Sequence, residues 1–178
     1  MVLQEWFLLQ ILRNKIWAIS FHSHQNRHPC RPCIMCNGNE IAYSSELKFV
    51  GLFIMENLAW NVQTHSLCAR LSKVYCMIKS LRDIMSTHML WSIYFAYFLS
   101  RLKYEIIFWG RDGEIIKVFW LQKQVIQLIT GVHKPESWRN IFRKFRILTL
   151  TSLYILEVLW FIKKVSRESK TKLVNTWS

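Results

Sequence analysis

The sequence predicts an α+β fold that is mostly α. A small sheet with a helix covers residues 1–57, a helical region covers 58–165, and a basic tail covers 166–178. Three observations carry that expectation. Glycine and proline are scarce, at five and three in 178 residues, which disfavours a turn-rich sandwich and favours long helices. Apolar residues alternate in the first third of the chain and then recur every three or four positions. The hydrophobic fraction is 52% and the aromatic fraction 15%, enough for a sizeable core and well above the content of disordered chains.

The elements follow in order. Residues 3–13 read as a helix, with Trp6, Leu9, Ile11 and Leu12 apolar. "IWAISFH" sets Ile16, Ala18 and Ser20 against Trp17, Ile19 and Phe21, the alternation of a strand with one apolar face. "NGNE" at 37–40 is a hairpin signal. "ELKFVGLFI", 46–54, reads as another strand. From Leu67 the apolar residues run Leu71, Val74, Ile78, Leu81, Met85, the seam of an amphipathic helix. Its opposite side carries Arg70, Lys73, Lys79 and Arg82, and "DIMST" ends it. Ser86 or Thr87 caps a second helix over 88–104, which is apolar almost all round and therefore central. "WGRDGE" makes a turn. A third helix, about 114–129, puts Ile115, Val118, Gln122, Val125 and Ile129 on one side and closes at Gly131. Ser137 caps a short "WRNIFRKF" helix, a segment that brings Arg139, Arg143, Lys144 and Arg146. Thr151 or Ser152 caps "LYILEVLWFIKK", and the tail from Ser166 is polar and frayed.

Charge narrows the partner. Lys and Arg number 24 against 11 Asp and Glu, a net of +13 and a pI near 9.8. A polyanion is the natural partner of such a chain, nucleic acid first and a membrane surface second. The runs "HMLWSIYFAYFL" and "LTLTSLYILEVLWFI" are shorter than the roughly 18–20 residues a spanning helix needs, and Glu157 interrupts the second. Both read as buried core helices, and no membrane partner is expected. Most aromatic rings sit at core-like spacing, so base stacking is a secondary expectation.

Five cysteines are an odd number, and "MVLQEWFLLQILRNK" lacks the basic start and cleavage site of a secretion signal. Reduced thiols in the cytoplasm or nucleus are expected. "FHSHQNRHPCRPCIMC", 21–36, places His22, His24 and His28 beside Cys30, Cys33 and Cys36. Three cysteines at two-residue gaps with one histidine suit a zinc knuckle. An iron–sulfur run would need a fourth cysteine shortly after Cys36, and none stands there. The plainer alternative, and the expected one, is a hairpin strand with Cys33 and Cys36 on opposite faces and no metal.

Several of these stretches together resemble a known family. "LKFVGLFIMENLAWNVQTHSLCARLSKVYCMIKSLR" is similar to a segment of the non-LTR retrotransposon reverse transcriptases, with the jockey-like elements nearest. The likeness continues through "SIYFAYFLSRLKYEIIFWG", "LQKQVIQLITGV" and "IFRKFRILTLTSLYILEV", and upstream through "EWF" and "NK". It covers nearly the whole chain. It implies the end of a polymerase palm followed by a thumb. It makes Lys15 resemble the motif lysine near the leaving pyrophosphate. It makes Lys48 to Gly51 resemble the primer-grip strand, where a glycine lets backbone approach a phosphate closely. It implies that Arg70, Lys73, Lys79 and Arg82, with Arg139, Arg143, Lys144 and Arg146, hold primer–template duplex, an RNA–DNA hybrid being the natural ligand.

Two-metal phosphoryl transfer needs clustered carboxylates, and the family's Asp pair would precede Met1. Asp83 and Asp112 are the chain's two aspartates. A chain inactive alone is therefore expected, with no cofactor of its own, magnesium in the complete enzyme, and the palm and fingers as a further partner. The chain departs from the family pattern at Ile16, Val50, Trp91, Glu105, Trp120 and Trp138. Two alternatives stand beside this reading: a nucleic-acid-binding or interaction protein that has lost a catalytic palm, and a small zinc-binding module.

Overall fold

The computed structural model describes residues 7–12, 15–22, 32–36, 38–104, 106–132 and 137–175, with side chains from 17 to 167 within those ranges. The chain is α+β and mostly α, 61% helical with a few small sheets. It forms two compact units, Met1–Gln63 and Thr64–Ser178.

In the first unit, β1 (Phe7–Leu12) and β2 (Lys15–Ser20) make an antiparallel hairpin, Leu12 opposite Lys15 and Phe7 opposite Ser20. The described part of the stretch expected as a helix, 7–12, is thus a strand. Two apolar runs separated by two residues are a hairpin pattern as well as a helical one, and cross-strand pairing wins. The expected single apolar face of β2 is also corrected: Ala18 and Ile19, on opposite faces, are both buried. A parallel partner, β5 (Ala42–Tyr43), pairs with β2 through Trp17↔Ala42. Between them β3 (Met35–Cys36) and β4 (Asn39–Glu40) form the hairpin expected from "NGNE", with Gly38 at φ +79°. Cys33 lies ahead of β3 rather than on it.

The stretch 46–54 is a hairpin and not one strand. β6 (Glu46–Phe49) and β7 (Leu52–Met55) pair around Val50 and Gly51, at φ 48° and 87°. Two positive φ values in a two-residue loop are the type I′ pattern. Ile41, Leu47 and Leu52 join Ala18 and Ile19 in this unit's core, and buried Gln63 accepts a hydrogen bond from the Phe53 N–H at 3.2 Å.

The second unit is helical. α1 (Asn61–Leu81) buries Leu67, Leu71, Val74 and Ile78 as its spacing requires. It ends at Leu81, so Asp83 lies in the following turn and not in the helix. Ser86 caps α2 (Thr87–Ile93) by accepting from the Met89 N–H. The expected continuous helix is interrupted by a π-helical segment, π1 (Tyr94–Leu99), before α3 (Ser100–Lys103). It is not buried all round: Leu90, Tyr94, Phe98 and Leu102 face the core, while Met89, Phe95 and Tyr97 are exposed. α4 (Ile106–Trp109) leads through the "RDG" turn to α5 (Ile115–Thr130), which buries Val118, Gln122, Val125, Ile126 and Ile129. Gly131 closes α5 in the left-handed conformation at φ 70°.

α6 (Trp138–Lys144) is followed by α7 (Leu150–Asn175). Thr149, not Thr151 or Ser152, opens α7, its hydroxyl accepting from the Ser152 N–H at 3.2 Å. The backbone stays helical through the described part of the tail expected to fray, as far as Asn175, and no glycine or proline after Thr151 stops it. α7 is not a core helix throughout. Leu150 and Leu153 are buried, whereas Ile155, Leu159, Trp160, Phe161 and Ile162 are exposed. Among the described residues no helix is long and apolar enough to cross a membrane.

Candidate nucleic-acid interface

Basic residues converge where α5, α6 and the start of α7 meet. A groove of about 740 Å³ is lined there by Lys123, Arg139, Arg143 and Arg146, with the rings of Phe119 and Trp138 among its walls. No carboxylate belongs to that lining. Arg139 and Arg143 lie one helical turn apart on α6, both exposed. Like charges at this spacing cost a few tenths of a kcal/mol.

Arg146 carries a second local cost. The end of α6 is a Schellman motif: the Ile147 N–H donates to the Phe142 carbonyl at 2.9 Å, and the Arg146 N–H to the Arg143 carbonyl at 3.2 Å. The residue after the cap in this motif is normally glycine, because it takes positive φ. Here it is Arg146, at φ 54°, a conformation costing roughly 1–2 kcal/mol without a glycine. The chain places a cation at that position and accepts the strain.

Lys123 sits among rings rather than carboxylates. Its ammonium lies 4.4 Å from the Phe119 centroid, 5.0 Å from Trp120 and 5.5 Å from Trp138. Rings hold a cation without neutralising it, so the groove keeps its positive potential.

The other expected site residues are distributed differently. Lys144 does not line the groove and lies over the Phe145 ring at 5.8 Å. On α1, Lys73 and Lys79 are exposed, while half-buried Arg70 donates back to the Ser66 carbonyl at 3.4 Å. The Arg82 guanidinium lies beside Gly131, 3.7 Å from where a Cβ there would stand, a favourable place at the negative end of α5. Lys48 and Gly51 belong to the β6–β7 hairpin of the first unit. Lys48 is exposed over the Phe53 ring at 5.4 Å, and Gly51 is the second residue of the tight turn rather than a strand residue.

The two aspartates do not make a metal centre. Asp112 accepts from the buried Thr64 hydroxyl at 2.7 Å, tying the turn before α5 to α1, and Asp83 is exposed in the turn after α1. Among the described residues no three His, Cys, Asp or Glu side chains cluster closely enough to hold a metal ion. Of the histidine–cysteine stretch, His24, His28 and Cys30 lie outside the described residues. His22 approaches Glu56 at 3.5 Å. A hydrogen bond with Glu40 pushes the Cys33 thiol up from its ordinary value. The side chain of Lys15 is also outside the described set; its backbone opens β2.

Lys123, Phe119 and Trp138 are absent from the site residues expected from the sequence. Phe119 and Lys123 are four apart on a helix, a spacing that brings side chains together, so part of the signal was present. Trp138 and Arg139 reach the same place only through the packing of α6 on α5. No family model matches the chain, and no curated protein or solved structure matches it.

Proposed function

We propose that the chain is the palm end and thumb of a jockey-like non-LTR retrotransposon reverse transcriptase, and that it holds primer–template duplex by its phosphates. The family assignment rests on the sequence motifs. The observation that carries the binding role is the convergence of Lys123, Arg139, Arg143 and Arg146 on a groove without a carboxylate in its lining, in a chain of net charge +13. Guanidinium groups pair with phosphate oxygens by planar, forked hydrogen bonds. Each phosphate neutralised releases condensed counterions, which supplies the driving force. Contacts of this kind fix position along the duplex and carry no base information. Phosphoryl transfer and its magnesium are assigned to the palm of the complete enzyme, since Asp83 and Asp112 do not fit a two-metal site.

The test is fluorescence anisotropy with blunt DNA duplex and blunt RNA–DNA hybrid over a salt series. Affinity should be nearly independent of sequence, and log K should fall with log salt at roughly −0.9 per phosphate on B-DNA. Arg139→Glu with Arg143→Glu should weaken all sequences alike and flatten the slope by about two contacts. The pair Arg70→Glu and Lys73→Glu measures what α1 adds. Binding that ignores salt, or that the α6 pair leaves untouched, would refute the reading.

The exposed apolar side of α7, with Leu159, Trp160 and Ile162, favours a second reading, an interaction protein without a catalytic role. Polymerase activity of a jockey-like palm and fingers region that depends on this chain would exclude it.

A further inference from the structure

The charges of the groove account for phosphate, but not for its rings. Phe119 and Trp138 line it, Trp120 is 56% exposed beside it, and Lys123 covers all three. Paired bases inside a duplex have no free face to offer a ring; unpaired ones do. The volume of about 740 Å³ is also that of a small-molecule pocket, enough to take in one or two nucleotides.

We propose that this groove takes unpaired nucleotides at the single-stranded end of a nucleic acid, their phosphates on Arg139, Arg143 and Arg146 and a base stacked on Trp138. The proposal rests on the reading of this face as one that binds nucleic acid, and adds a second ligand form to it. Lys123 is the movable part. A long flexible side chain resting on aromatic faces can be displaced by an incoming base, and its ammonium is then free to meet the phosphate that arrives with that base. Arg146 is the fixed part. Its backbone is held by the Schellman hydrogen bonds, so its side chain starts from a fixed, left-handed position just past the end of α6.

The experiment compares blunt duplex with the same duplex bearing a short single-stranded extension, at fixed salt and with the full chain. The extension should bind tighter by about tenfold, the effect of one stacked base. Trp138→Leu should bring the ratio of extended to blunt affinity close to one, and Trp138→Phe should restore most of it. Equal affinities for the two duplexes in the native chain would overturn the proposal. So would a ratio that survives Trp138→Leu in a protein whose melting is unchanged. Should Trp138→Leu fail to fold, Arg146→Gly supplies the second arm. It relieves the backbone, so the melting temperature should hold or rise while binding of the extended duplex falls; unchanged binding would overturn the proposal. Blunt-duplex binding that fails while a single-stranded oligonucleotide still binds through Trp138 would sink the duplex reading and leave this one standing.

Discussion

Replacing Gln122 by leucine tests whether the helical unit is organised around one buried amide. The Gln122 side chain is fully buried and uses both of its ends. Its NH2 donates to the Tyr94 hydroxyl at 3.2 Å and to the Leu148 carbonyl at 3.0 Å, and its carbonyl accepts from the Leu150 N–H at 3.1 Å. It therefore joins α5 to π1, to the α6–α7 connection and to the first amide of α7. Leucine fills a similar volume and leaves these three partners without theirs. A stranded buried group costs about 1–3 kcal/mol. The partly buried Leu148 carbonyl can recover some of that from water, and the leucine adds some apolar burial. A net loss of about 3 kcal/mol follows, or a fall in melting temperature on the order of 10 °C. Urea unfolding at an unchanged m-value is the assay, since a changed m would mean an altered end state. Gln122→Glu refines the test. A carboxylate still accepts from the Leu150 N–H but cannot donate to Leu148 or Tyr94, so this variant should be more stable in acid, where the protonated form regains a donor. A Gln122→Leu protein within about 0.5 kcal/mol of the native one would show that the amide is incidental.

Three further outcomes are expected. Burial pushes the Tyr94 hydroxyl up to about 12, the Gln122 hydrogen bond opposing only in part. The unfolded state ionises first, so this contribution is intact below pH 10 and is lost between about 10 and 12, worth roughly 2–3 kcal/mol; Tyr94→Phe should remove that part of the alkaline decline in a pH series of urea midpoints. Val50 adopts φ 48° while 66% exposed, so Val50→Asn, giving the preferred Asn–Gly turn, should stabilise the first unit by about 1 kcal/mol, seen as a higher urea midpoint. A Cβ at Gly110 would collide with the Tyr154 ring and the Ile106 carbonyl, so Gly110→Ala should lower the melting temperature by an amount equivalent to about 2 kcal/mol.

Helical seams were legible wherever one periodicity was uncontested. Leu67, Leu71, Val74 and Ile78 on α1, and Val118, Gln122, Val125 and Ile129 on α5, are buried as their spacing required. Strands were harder. "WFLLQILRNKIW" fits a helix and a hairpin about equally, and only pairing with another segment decides between them. The β6–β7 turn was hidden because Val50 is a poor turn residue, and Gly51 alone looked like a strand glycine. The exposed rings of α7 and π1 escape the sequence for a related reason: an apolar composition says a face could be buried, not that a neighbour covers it. At the interface, charge and residue type pointed to Arg139, Arg143 and Arg146. Their union with Lys123 depended on how α6 packs, which no local pattern encodes. The fate of Arg70 and Arg82 was equally invisible, because it turns on a carbonyl of the same helix and on the end of α5.

The π segment holds one more lesson, about insertions and deletions. Leu90, Tyr94, Phe98 and Leu102 are buried at strict four-residue intervals. On a regular α-helix each such step overshoots a full turn by roughly 40°, so the row would wander off the core face within the length of the element. The wider turns of Tyr94–Leu99 rotate each residue less and bring the row back into line. This helix thus keeps its aim through a stored excess of chain. Removing a single exposed residue from it, such as Ala96, would let the hydrogen bonding become regular and the helix locally more ordinary. Leu102 would nevertheless keep its direction: eleven steps of roughly 100° from Leu90 come within about 20° of three full turns, whereas twelve regular steps would miss by about 120°. A one-residue deletion is thus the change this helix can absorb, and making it regular with every residue kept is the change that would turn Leu102 off the core.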